Sequence, residues 1–171
     1  MVFSSSEQYF QYHKAVYHDD HVSARQIMIT DDPAQCKYIG STVHIPDMKN
    51  WEDKARDIMY TGCLAKFTQN PKHRDFLLST GDTVLIEANS SDKFWSAGLK
   101  LSDDNLFKQN SWKGKNYLGV VLMEVRDKLK AAWTTEWQMC HIMLLVTRVS
   151  IAHATVQNLF TGVIMYINAG E

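Results

Sequence analysis

The chain has 171 residues, 45% of them hydrophobic and 22% charged, with a formal net charge of -1. That length holds one domain with a real core, and the near-neutral balance excludes a bulk electrostatic grip on nucleic acid. Cys36, Cys63 and Cys140 are far apart, odd in number and form no CxxC pair, which argues against a disulfide framework or a zinc site. The first residues carry no basic region followed by an apolar one, so the expected location is the reducing cytoplasm.

In chain order the pattern is helical with little strand. Ser4, Ser5 and Ser6 precede Glu7 and Gln8, a helix N-cap. Glu7 in the first turn suits the positive end of the helix dipole, and Tyr9, Phe10 and Tyr17 continue at helical spacing over residues 6–18. His18-Asp19-Asp20-His21 would place two imidazoles on one helix face at i, i+3; a solvated helix end explains them without a metal. Asp31-Asp32-Pro33 reads as an N-cap with proline in the first turn, for a short helix stopping at Gly40. Residues 41–47, with Pro46, form a loop.

Residues 48–68 carry the strongest helical stripe: Trp51, Ala55, Ile58, Met59, Cys63 and Phe67. Asn70-Pro71 ends it, and a second short helix covers residues 73–78. Thr80-Gly81-Asp82 is a turn. Residues 83–88 are β-branched and apolar enough for a short strand. Residues 89–116 are polar and loop-rich, and Leu118, Val121, Leu122, Val125 and Leu129 form another helical stripe. Beyond residue 130 lie apolar blocks at 141–149 and 159–167. Arg148, His153 and Gln157 interrupt that tail, so no uninterrupted run approaches the ~20 residues of a membrane span, and no membrane partner is expected. Ser102-Asp103-Asp104-Asn105 lacks the Gly and downstream Glu of a calcium loop, and Gly114-Lys115-Asn116 lacks the spacing of a phosphate loop. Lys113 and Lys115 keep ordinary ion pairing with a phosphate open.

Several short motifs recur in order along this frame. Ser5-Ser6-Glu7-Gln8-Tyr9-Phe10-Gln11 leads to Lys14. Trp51 precedes Ala55-Arg56 and Met59, and Lys66-Phe67-Thr68-Gln69-Asn70 follows. Leu77-Leu78-Ser79-Thr80 comes next, then Asp92-Lys93-Phe94-Trp95. Gly114-Lys115-Asn116-Tyr117-Leu118-Gly119 and Leu122-Met123-Glu124-Val125-Arg126 close the series. In this order and spacing the chain resembles the NADAR domain, or YbiA-like, family over residues 3–129. Each motif alone is weak; the ordered set is specific.

The resemblance implies a mostly helical α+β single domain with a small β component. It places that domain at residues 1–130, without the segment that usually precedes the S-x-E motif. Residues 131–171 are then an apolar extension lying outside the site. The implied activity is an N-glycosidase hydrolysing the bond between a base and ribose or ADP-ribose, in a riboflavin-intermediate or ADP-ribose type of substrate. The substrate is a small molecule or an ADP-ribosylated nucleic-acid base, and no cofactor or metal is implied. The alternative is a non-catalytic ADP-ribose- or nucleotide-binding module that keeps the pocket without turnover.

Carried over motif by motif, Glu7, Trp51 and Asp92 are the implied catalytic residues, and Lys14, Trp95 and Asn116 the implied substrate-binding or supporting ones. Such a set suits the chemistry. Cleaving a ribosyl C–N bond builds positive charge on the sugar, which a carboxylate stabilises while it positions or deprotonates a water. A tryptophan offers the base a stacking face. Read without the resemblance, Glu7 is a helix start, Trp51 a core residue and Asp92 a solvated loop residue. Where the family pattern has W-G, this chain has Trp95-Ser96, so the loop backbone is expected to shift there.

Overall fold

The computed structural model describes residues 1–143 and 164–167. They fall into two units, Met1–Gln69 and Asn70–Glu171. The described chain is mostly helical, with one short antiparallel strand pair.

The first unit holds α1 (Ser6–Tyr17), α2 (His21–Ile29), α3 (Pro33–Ser41) and α4 (Met48–Gln69). Side-chain caps place the starts of the first three: Ser5 accepts from Gln8 N, Asp20 from Ser23 N and Asp32 from Ala34 N. α2 is not among the helices expected from the sequence. The chain turns sharply between α1 and α2 at Asp19, whose φ is 57°. His18 is therefore the C-cap of α1, while His21 opens α2. The two imidazoles do not share a helix face, which corrects the i, i+3 expectation. Gly40 does not stop α3 either; the helix runs one residue further, to Ser41.

α1 packs against α2, α3 and α4. Its inner face joins Ala15 to Ala24, Ile27, Cys36 and Val43 in one buried cluster. The α4 stripe is buried as its spacing requires, with Trp51, Ala55, Ile58, Met59, Cys63 and Phe67 all in the core. Burial pushes the Cys63 thiol up to about 12, so it is a packing residue and not a nucleophile.

The second unit holds α5 (Pro71–Ser79), β1 (Val84–Glu87), two 3-10 turns (Asp104–Phe107 and Gln109–Ser111), α6 (Tyr117–Met143) and β2 (Ile164–Ile167). Proline opens α5, earlier than the expected start at residue 73. β1 pairs antiparallel with β2 in the register Val84↔Ile167 to Glu87↔Ile164. α6 runs well past residue 130, so the extension supplies both a helix end and a strand. The rest of its two apolar blocks, at residues 144–149 and 159–163, lies outside the described residues. Among the described residues no helix is long and apolar enough to cross a membrane.

α6 clasps the turn between α5 and β1. Arg126 donates to Thr80 Oγ1 (2.8 Å) and Thr83 O (2.9 Å), and Lys130 donates to Gly81 O and Asp82. The arginine of the L-M-E-V-R motif thus has a structural role, since its side chain is buried and holds a turn.

Candidate active site

In the first unit, Glu7, Gln11, Lys14 and His18 recur at four-, three- and four-residue steps, so they line one stripe of α1 and its cap. Gln11 Nε2 donates to Glu7 Oε1 at 2.8 Å, which keeps that carboxylate oriented as an acceptor. Lys14 Nζ donates to Gly40 O at 2.9 Å. Burial holds the Lys14 ammonium below the usual lysine range, and the Glu7 carboxylate opposes that shift.

Gly40 explains the tightness of this contact. A Cβ there would overlap the Gln11 amide. The sequence alone reads Gly40 as a helix stop and gives Gln11 no role. The signal that could find both is the Q-x-x-K spacing, which places an amide and an ammonium on the Glu7 stripe.

Trp51 sits beside the C-terminal half of that stripe. Its ring lies 5.0 Å from His18, 5.7 Å from Tyr17 and 5.9 Å from Phe10, and the residue is only 6% exposed. A cavity of about 310 Å³ opens between α1 and α4. Tyr9, His13 and Tyr17 meet Lys54, Asp57 and Thr61 there, and none of the six sequence-derived candidates lines it.

The second unit carries Asp92, Trp95 and Asn116. Asp92 Oδ1 accepts from the backbone N–H groups of Phe94 (3.0 Å) and Trp95 (2.8 Å). One carboxylate oxygen therefore shapes the loop that presents the tryptophan. Ser96 itself does not adopt a left-handed backbone. The left-handed residue is Gly98, with φ 70°, while Ser96 is fully buried and its hydroxyl lies against the Asn89 and Asp92 carbonyls. The serine hydroxyl is an internal brace of the loop.

Asn116 is 1% exposed and has φ 51°. Its Nδ2 donates to Leu85 O, and its Oδ1 accepts from Glu87 N, each at 2.9 Å. Its side-chain amide thus bonds β1 as a neighbouring strand would. Of the two roles implied for it, binding or support, this geometry provides support. Phe94 and Tyr117 stand 5.0 Å apart, with Lys115 Nζ 5.4 Å from both rings.

Against this geometry, residues 1–130 match the family model described as the NADAR domain. The chain belongs to the NADAR domain family. Protein irg-1 of Caenorhabditis elegans is 38% identical over 136 residues, covering 78% of the NADAR chain and 63% of irg-1. The chain thus spans somewhat less than two thirds of that relative's length. N-glycosidase R617 of Acanthamoeba polyphaga mimivirus is 37% identical over 124 residues, covering 72% of this chain and 73% of R617. The NMR structure of the E. coli protein YbiA superposes with a TM-score of 0.60 at 31% identity, covering 75% of this chain and 68% of YbiA. The YbiA protein is itself named an N-glycosidase.

Proposed function

We propose that this chain is an N-glycosidase, a hydrolase that cleaves the bond between a base and ribose or ADP-ribose, on the α+β architecture of YbiA. Relatives named N-glycosidases align with most of the chain. The observation that carries the reading is Glu7, a carboxylate oriented by Gln11 beside the Lys14 ammonium. The substrate class is a riboflavin-intermediate or ADP-ribose type of N-glycoside, either a small molecule or an ADP-ribosylated nucleic-acid base. The reaction uses no cofactor.

Breaking the C1′–N bond leaves its electron pair on the base, which takes up a proton and departs. The sugar carries oxocarbenium charge, which Glu7 stabilises. Water adds to C1′ through its oxygen and loses its proton to the same carboxylate. Asp92, with one oxygen committed to the loop, is proposed from its motif position as the second catalytic carboxylate, and Lys14 and Trp95 from theirs as substrate-binding residues. Trp51 stacks on the base once Tyr17 or His18 turns aside, since the indole is otherwise covered. Asn116 acts through β1 as a support.

The test is base release by the parent chain and by Glu7→Gln. The substitution keeps size and hydrogen bonding and removes the charge. The expected loss is ~10²–10³ in rate, with the circular dichroism spectrum unchanged. Near-parental turnover would exclude Glu7 as the catalytic carboxylate. A parent that binds ADP-ribose yet releases no base would assign the chain to the alternative, a nucleotide-binding module.

A further inference from the structure

The first unit holds a cavity that the proposed chemistry does not use. It measures about 310 Å³ and lies between α1 and α4. Glu7, Gln11, Lys14 and His18 do not line it. One wall is aromatic and comes from α1, where Tyr9 and His13 stand one turn apart with ring centroids 4.3 Å from each other. The other wall comes from α4 and is polar at Lys54, Asp57 and Thr61.

The aromatic wall is built before any ligand arrives. A Cβ at position 62 would lie 2.6 Å from the Tyr9 ring, so a glycine there lets that ring rest against α4. Phe3 packs edge-on against Tyr9 at 5.1 Å and reaches His13 at 5.9 Å. Burial and Lys54 hold the His13 imidazole below its ordinary value, so this ring is neutral at pH 7. Rings fixed in this way offer a stacking face with little left to order on binding.

The polar wall sets the chemistry of the occupant. Lys54 and Asp57 are neighbours across one helical turn, yet among the described residues they form no ion pair with each other. An ammonium only donates and an ionised carboxylate only accepts. Their charges cancel, which disfavours a net ion and suits a neutral molecule that carries an acceptor beside a donor. Volume limits its size. Ligand cavities run from about 300 to 1,000 Å³, so this one has room for a single base-sized ring and not for a dinucleotide.

We propose that the cavity binds a small, neutral, planar heteroaromatic lactam, a ring whose edge carries a carbonyl next to an N–H. The ring lies on Tyr9 and His13, Lys54 donates to the carbonyl, and Asp57 accepts from the N–H. Tyr17 stands at the rim, 45% exposed. The binding contacts do not involve it, so its movement away from Trp51 leaves them in place. The site does not rest on the N-glycosidase reading, because it shares no residue with the Glu7 stripe.

The experiment uses the full chain with ¹³C-labelled tyrosine and histidine rings, titrated with uracil. The control is 1,3-dimethyluracil, which keeps the ring and both carbonyls and lacks both N–H groups. The expected result is a saturable shift of the Tyr9 and His13 ring resonances, with binding of the dimethyl compound at least about tenfold weaker. Lys54→Ala and Asp57→Ala change exposed positions of α4, and each should weaken uracil binding about tenfold with the circular dichroism spectrum unchanged. Unmoved Tyr9 and His13 resonances, equal affinity for the two compounds, or parental affinity in both variants would each overturn the proposal. The readout needs no turnover, so a chain that binds uracil here and releases no base sinks the N-glycosidase reading alone.

Discussion

A single amide shows how tightly local and distant structure are joined at the residue scale. Gln8 is 2% exposed. Its Nε2 donates to Ile27 O and Thr30 O at the end of α2, and its Oε1 accepts from Ser4 N and Ser4 Oγ. It thereby ties the entry of α1 to the exit of α2 and satisfies carbonyls that a helix end leaves open. Replacing Gln8 by Leu keeps the volume and leaves those carbonyls the weak Cys36 thiol donor in place of the amide. Urea unfolding should show a loss of about 1–3 kcal/mol. No loss would mean that the two carbonyls find other partners. The motif position next to Glu7 is therefore a structural glutamine. The sequence alone shows it only as a helix-start residue, because its partners lie 19 and 22 positions away.

At the scale of elements, the helices with a clear apolar stripe were legible, and α2, although capped by Asp20, was not. α1, α3 and α4 follow from apolar spacing and from Ser5 or Asp32 at their starts. α2 escaped because Asp20 looked like part of a charge cluster, and because Val22, Ile27 and Ile29 favour strand as readily as helix. The glycines of the G-x-N-x-L-G motif have a packing cause. A Cβ at Gly119 would overlap Leu85 O and crowd the Asn116 amide. α6 therefore starts directly on β1 only because position 119 has no side chain. Gly119→Ala should force α6 off β1 and cost at least about 1–3 kcal/mol, read as a lower urea midpoint. An unchanged midpoint would show that the helix start can slide without cost.

Two tests belong to the whole molecule. β2 is the partner of β1 among the described strands. Truncation after residue 130 removes that partner and leaves the main chain of Val84–Glu87 as an open edge. The truncated chain should unfold at lower urea concentration and associate on a sizing column. A truncated chain that stays monomeric with parental stability would show that β2 is dispensable. The second test is pH. Burial and Lys54 hold the His13 imidazole below its ordinary value, as burial, Lys14 and His44 do for His18. As pH falls through the ordinary histidine range, the unfolded chain takes up these protons before the folded one does. Stability should therefore fall between about pH 7 and pH 5, and a chain carrying His13→Gln and His18→Gln should show a flatter profile. An equal slope in both would assign the pH dependence to other groups.

What the amino-acid order determined by itself was the helical periodicity, the caps, the turn at Gly81 and the ordered motifs that mark the family. All are local signals or short spacings, readable without knowing where the chain folds back. The tertiary structure alone decided what the motif residues do. It turned Asn116 into a surrogate strand for β1, Arg126 into a clasp on a turn, and Ser96 into a loop brace. It set Gly40 against Gln11, and it left the nitrogen of His18 buried beside Lys14 and Trp51 without a partner. Those roles depend on which backbone atoms arrive from distant positions in the chain, and side-chain identity does not encode that distance. The same glutamine, asparagine or histidine is a surface residue or a fully bonded core residue according to what the fold brings against it.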